Sequence, residues 1–166
     1  MFELNRFYSQ KQYFSKGETF DCNHRIVCLL RLKEAIRKRE PEIFDALRQD
    51  FGKCAFDTYT TEVLQVLDEI DTFVRHLKKW AKPERVRPGL VHFPAKGRVL
   101  RQPYGVVLVI SPWNYPFMLA LSPLVGAVAA GNCVILKPSA QTPHTSRLLA
   151  DLIADAFLPE HVTVAL

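Results

Sequence analysis

The 166-residue sequence is short of cysteine, glycine and methionine, with four, seven and two respectively. Cys22, Cys28, Cys54 and Cys133 stand 6, 26 and 79 positions apart. No C-x-x-C pair is therefore available for zinc or thiol–disulfide work, and the usage fits a reducing compartment. The glycines and the eleven prolines show no period, which excludes collagen-like and low-complexity chains. Met1 to Arg6 has neither the basic start nor the apolar run of a secretory signal, so a cytoplasmic location is the expectation. Charge is also missing over a long stretch: the 35 residues from Gln102 to Leu136 contain no Asp, Glu, Lys, Arg or His. A bilayer span needs about 20 apolar residues. Here Pro103, Pro112, Pro116 and Pro123, with Gly105, Gly126 and Gly131, break the run too often, and a buried α/β core is the better reading.

What is present is ordinary globular material. Apolar residues make up 48% and charged residues 23%, and the length suits one domain on a prior of about 100–200 residues. Eleven Phe, five Tyr and two Trp supply a core and exclude wholesale disorder. The net charge of +5 permits weak contact with polyanions without requiring it. Arg31, Lys33, Arg37 and Lys38 cluster, but no aromatic or Gly pattern joins them, so they read as a solvated helix face and not as a nucleic-acid stripe.

The first eighty residues carry helical periodicity. Asn5 to Lys16 is a short candidate. Asp21 can cap a second helix in which Cys22, Ile26, Leu29 and Ile36 recur on one side. Pro41 suits the first turn of a third, with Phe44, Leu47 and Phe51 inward and Gly52 as its stop. The longest pattern is Val63, Val66, Leu67, Ile70, Phe73, Val74, Leu77 and Trp80, ended by Pro83. So broad a stripe needs a large partner layer.

After Pro83 the texture changes. Glu84 to Lys96 is rich in Pro and Gly, and Arg98 to Gln102 alternates as an edge strand does. Val106 to Ile110 is a continuous β-branched run, the mark of a parallel strand covered on both faces. Phe117 to Ala130 is apolar all round and contains Pro123, with Gly131 placed as a C-cap. Cys133 to Leu136 is a second buried strand, Ser146 to Phe157 an amphipathic helix, and Val162 to Leu166 a third strand. Strand, helix, strand, helix, strand predicts the α/β class and the first part of a doubly wound, Rossmann-like parallel sheet with an edge β-ribbon. The chain then divides into a helical part (1–82), a linker with the edge ribbon (83–105) and the start of the sheet (106–166).

In such sheets ligands bind outside the carboxyl ends of the strands. Two polar clusters fall there, Ser111-Pro112-Trp113-Asn114 and Lys137-Pro138-Ser139. Asn114 can donate two hydrogen bonds from a stiff, Pro-flanked backbone, which suits stabilisation of an oxyanion, worth about 3–4 kcal/mol where such donors are removed. The alternative is a turn Asn bonded to its own backbone. Lys137 can reach a hydroxyl or phosphate of a nucleotide, or it can be a strand-end Lys extending to solvent.

Taken together, Pro103-Tyr104-Gly105-Val106-Val107, Ile110-Ser111-Pro112-Trp113-Asn114-Tyr115-Pro116-Phe117, Ala129-Ala130-Gly131-Asn132 and Lys137-Pro138-Ser139 closely resemble the aldehyde dehydrogenase superfamily. Phe51-Gly52-Lys53 and Leu77-Lys78-Lys79-Trp80 resemble its compact, often dimeric class 3 branch. The resemblance runs from about Arg25 to Leu166 and covers the amino-terminal portion of the family's pattern. It implies oxidation of an aldehyde through a cysteine thiohemiacetal, hydride transfer to NAD or NADP, and thioester hydrolysis assisted by a glutamate. It maps the oxyanion-hole amide onto Asn114 and the cofactor-binding lysine onto Lys137, with Ser139 beside it. Ile110, Ser111 and Trp113 would line the nicotinamide side. The edge ribbon resembles part of the arm through which family members oligomerise, and no nucleic acid or transmembrane segment is implied.

Two departures stand out. The family's K-P-S-E reads Lys137-Pro138-Ser139-Ala140, so the glutamate that binds the adenosine ribose and repels a 2′-phosphate is missing, and NADP should be better tolerated. These 166 residues also lack the family's G-S-T-x-x-G loop, general-base glutamate and catalytic cysteine. None of the four cysteines sits where an electropositive, accessible niche is expected. The chain is thus expected to be a single incomplete cofactor-binding domain, inactive alone, with the rest of the enzyme or a partner chain supplying the catalytic domain. A non-catalytic nucleotide-binding or interaction module is the alternative.

Overall fold

The computed structural model describes residues 2–166, with side chains from Leu4 onward. Helices α1 (Phe2–Ser15), α2 (Cys22–Lys38), α3 (Glu40–Phe51), α4 (Ala55–Thr58) and α5 (Leu64–Trp80) come first. A two-stranded ribbon of β1 (Glu84–Val86) and β2 (Gly97–Val99) follows, and then β3 (Val106–Ile110), α6 (Met118–Ala130), β4 (Cys133–Lys137), α7 (Pro143–Ala156) and β5 (Val162–Val164). The fold is α/β, as the sequence pattern predicts.

Where helix ends are set by adjacent residues, expectation and structure agree. The Asp21 carboxylate accepts from the main-chain N–H groups of Asn23 and His24 at 3.1 and 3.2 Å, satisfying two otherwise orphaned donors at the start of α2. Gly52 and Gly131 end α3 and α6 in the left-handed region, at φ of 67° and 93°. Where an end is set from a distance, the two differ. Helix α7 starts three residues before the expected Ser146 because Asp50, at the end of α3, caps it. That carboxylate accepts from His144 N at 3.2 Å, Thr145 N at 2.8 Å and Thr145 Oγ1 at 2.6 Å. Phe51 and Trp80, expected inward, are 39% and 44% exposed. Both lie in the last turn of a helix, where the apolar stripe has run past its partner layer, and Trp80 stacks on His76 instead.

Strands β3, β4 and β5 form one parallel sheet in that order, paired Val106↔Cys133 through Ile110↔Lys137 and Val134↔Val162 through Leu136↔Val164. Successive residues point to opposite faces. Val107, Val109, Val134, Leu136, Val162 and Val164 meet the main core. The other face of β4 is also covered, and α1 lies against β3 and β4, with Gln10 Nε2 donating to Val134 O at 2.8 Å. The expectation of cover on both faces fails at β3, where Leu108 and Ile110 are 59% and 72% exposed.

The core itself is a helix layer. Leu29, Leu32, Ile36, Leu47, Ile70, Leu121, Leu124, Leu149 and Leu152 are completely buried, each contributing about 1.5–3 kcal/mol. Helix α5 packs on α2 and α6, so its broad stripe is covered by helices and not by the short sheet. The ribbon pairs β1 with β2 antiparallel, separate from the sheet. Its second strand ends at Val99 and not at Gln102, and its first lies in a stretch read as linker, since a three-residue strand leaves almost no periodicity to read.

Candidate active-site segment

The parallel register fixes the site. Because Ile110 pairs with Lys137, the two strands end level, and Ser111 N donates to Lys137 O at 3.1 Å. The two clusters therefore leave the sheet side by side at its carboxyl edge. Ile110, Ser111, Lys137, Ser139 and Ala140 are brought together there, with Trp113 and Asn114 in the adjoining loop.

Asn114 is exposed, and its side chain makes no hydrogen bond to the described residues. Trp113 beside it is 52% exposed. Ser111 is buried, and its Oγ has no partner among the described residues. A buried hydroxyl without a partner costs about 1–3 kcal/mol, and one at a sheet's ligand edge is the kind of group that a ligand satisfies.

The loop is anchored from outside by Glu62, which the sequence reading did not pick out, together with Lys53. Glu62 lies in the π-helical turn Tyr59–Val63 that joins α4 to α5, and it is completely buried. One carboxylate oxygen pairs with Lys53. The other accepts from Phe117 N at 2.9 Å and Met118 N at 3.3 Å, the unsatisfied donors at the start of α6. Lys53 Nζ also sits 4.6 Å from the centre of the Tyr115 ring. The chain on the far side of Asn114 is thus tied to α5. A sequence signal existed: Glu62, Val66 and Ile70 follow at intervals of four, so a carboxylate continues the apolar stripe upstream.

Lys137 is half-buried and folds back so that Nζ donates to Pro138 O at 2.9 Å. With Ser139, Ala140, Ser146 and Arg147 it lines a cavity of about 200 Å³. Ser139 is held on both sides, its Oγ accepting from Gln141 N at 3.2 Å and its carbonyl from Ser146 Oγ at 2.8 Å. Arg147 belongs to none of the motifs in the sequence. Its place on the wall beside Ala140 depends on how α7 docks, which the sequence pattern does not reveal.

Burial works against a thiolate at two of the four cysteines. Cys133 is fully buried, and burial pushes its thiol up to about 12. Burial also raises Cys28. Cys54 is exposed and spends its sulfur on capping α4, accepting from Asp57 N at 3.5 Å.

The aldehyde dehydrogenase family model matches residues 9–166. The chain belongs to the aldehyde dehydrogenase family. The 4,4'-diaponeurosporen-aldehyde dehydrogenase of Staphylococcus aureus is 40% identical over 159 residues, 96% of this chain and 35% of that protein. Aldehyde dehydrogenase family 3 member H1 of Arabidopsis thaliana is 40% identical over 154 residues, 93% of this chain and 32% of its own length. That relative agrees with the class 3 features around Phe51 and Leu77. The solved substrate-bound state of Staphylococcus aureus AldH matches with a TM-score of 0.96 at 39% identity, covering 99% of this chain and 36% of that one. The chain therefore spans about a third of the length of these aldehyde dehydrogenases. No helix among the described residues is long and apolar enough to cross a membrane.

Proposed function

We propose that this chain is the amino-terminal, cofactor-binding part of an NAD- or NADP-dependent aldehyde dehydrogenase that oxidises an aldehyde to a carboxylate. The observation that carries the reading is the level ending of β3 and β4, which sets the Asn114 loop beside Lys137 and Ser139. In this reading the Asn114 amide donates to the aldehyde oxygen as negative charge develops on it, a fixed dipole doing the work that water would otherwise reorganise to do. Lys137 and Ser139 hold the adenosine ribose, with Lys137 exchanging Pro138 O for a sugar hydroxyl. Ile110, Ser111 and Trp113 line the nicotinamide side, where the unpartnered Ser111 Oγ offers a hydrogen bond. A nicotinamide cofactor held by these residues would supply the hydride acceptor. These residues supply the positioning and the oxyanion donor; nucleophile and general base come from elsewhere in the enzyme, so the 166 residues alone are inactive.

Ala140 and Arg147 bear on cofactor choice. An acidic side chain at Ala140 would repel a 2′-phosphate, and a nearby Arg accommodates one. With Ala140 beside Arg147 on one cavity wall, the site accepts NADP as well as NAD. The exposed ribbon region, with Leu90, Val91, Phe93 and Tyr104 more than 80% exposed, supports a role in homo-oligomer formation by the complete enzyme.

The test grafts these residues in place of the matching segment of the Staphylococcus aureus AldH. The graft is expected to oxidise aldehydes with NAD or NADP, and the isolated chain is expected not to. A folded graft that binds cofactor yet shows no dehydrogenase activity would overturn the reading, as would activity from the chain alone.

A further inference from the structure

Away from the sheet's carboxyl edge, three elements converge on a cluster that the dehydrogenase reading does not use. His24 and Cys28 lie one turn apart on the same face of α2, the i, i+4 spacing that lets two helical side chains share one ion. His161 enters from the loop before β5, and Tyr13 from α1. Cys28 Sγ stands 3.5 Å from His24 Nε2 and 3.8 Å from His161 Nδ1, and the three candidate ligand atoms all lie within 4.8 Å of one another. Tyr13 Oη is 3.4 Å from His24 Nε2.

Those separations can be compared with what an ion would impose. Zinc bonds of about 2.3 Å to sulfur and about 2.0–2.1 Å to nitrogen, at a tetrahedral angle, place S and N ligands about 3.5 Å apart. Both sulfur–nitrogen distances already sit close to that value. Only the two imidazole nitrogens must draw together, to about 3.3 Å by the same geometry. The environment points the same way. Cys28 and His161 are 4% and 2% exposed, and the Asn132 backbone is the hydrogen-bonding group nearest the imidazole apart from the cluster itself. The rings of Tyr13, His24 and Phe157 pack around His161, and its Nδ1 lies on the side of Cys28. His24 is half-buried and forms the way in from solvent.

We propose that His24, Cys28 and His161 form a binding site for one zinc ion, with the fourth position held by a water beside the neutral Tyr13 Oη. On binding, the Cys28 S–H bond breaks, a sulfur–zinc bond forms and one proton passes to solvent; both histidines bind as neutral imidazoles, and nothing is oxidised or reduced. The ion ties the first turns of α2 to the loop leading into β5. The ligands come from residues 24, 28 and 161, so no local cysteine motif announces the site.

The experiment uses the whole chain, reduced and stripped with chelator, titrated with Co²⁺ as a spectroscopic probe and then with Zn²⁺. The expected result is a thiolate-to-cobalt charge-transfer band saturating at one equivalent and bleached by zinc. Cys28→Ser abolishes the band, His161→Gln weakens binding at least tenfold, and Cys22→Ser and Cys54→Ser leave both unchanged. As a check independent of the variants, Zn²⁺ raises the Tm of the unaltered chain, because an ion that binds only the folded state stabilises it. A band that survives Cys28→Ser or vanishes with Cys54→Ser would overturn the proposal. So would an unaltered folded chain that gives neither a band nor a zinc-dependent Tm.

Discussion

At the scale of single residues, Ala140 departs from the family's K-P-S-E pattern, and Arg147 stands with it in the lining of one cavity. In the grafted enzyme, Ala140→Glu is expected to weaken NADP relative to NAD by about tenfold or more, about 1.4 kcal/mol, because a carboxylate then faces the 2′-phosphate. Cofactor titration of both versions measures it, and an unchanged NADP-to-NAD ratio would contradict the argument. His161 makes a second prediction. Burial, followed by the neighbouring His24, drives its pKa from 6.5 down to about 4. The folded chain thus holds it neutral, whereas the unfolded chain protonates it once pH falls below its ordinary value. Its contribution is present above that value and is lost as pH falls from about 6.5 to about 4, up to about 3 kcal/mol. Urea unfolding of metal-free protein from about pH 7 to about pH 4 reads it out, the loss being smaller in His161→Gln. Identical pH slopes in the two proteins would contradict it.

At the scale of elements, the Asn114 loop owes its position to a contact between α6 and the π-helical turn before α5. Glu62→Ala removes the partner of Lys53 and the acceptor for two main-chain donors, so a loss of about 3–5 kcal/mol is expected in urea unfolding, the range for breaking a buried pair. Glu62→Gln keeps an acceptor for Phe117 and should lose less. A Glu62→Ala stability within about 1 kcal/mol of the parent would mean the pair does not hold the loop. The same contact shows what a sequence can and cannot disclose. Asp21, Gly52 and Gly131 were readable because cap and helix are neighbours in the chain. Asp50 capping α7 and Glu62 capping α6 were not, since each serves a helix more than fifty residues away. The Asn114 and Lys137 segments were singled out through the family resemblance, and their convergence follows from a parallel register that short β-branched runs announce without fixing. Arg147 and the His24, Cys28, His161 cluster were hidden, because both depend on how separate elements dock.

At the scale of the whole molecule, the chain is an α/β unit whose helix layer is well filled and whose sheet is open on one side. Leu108 and Ile110 on β3 and the apolar residues around the ribbon are exposed together with the carboxyl edge that carries Asn114 and Lys137. That distribution suits a segment that completes a cleft with other parts of an aldehyde dehydrogenase, and the match over about a third of its relatives' length agrees with it. The central claim is that this segment supplies the oxyanion donor. It is tested most directly by kcat and KM of the grafted enzyme with Asn114 and with Asn114→Ala. The expected result is a fall in kcat of about 10²–10³-fold with little change in KM for the cofactor, the signature of a donor engaged as charge develops. A folded Asn114→Ala enzyme with unchanged kcat would contradict the account.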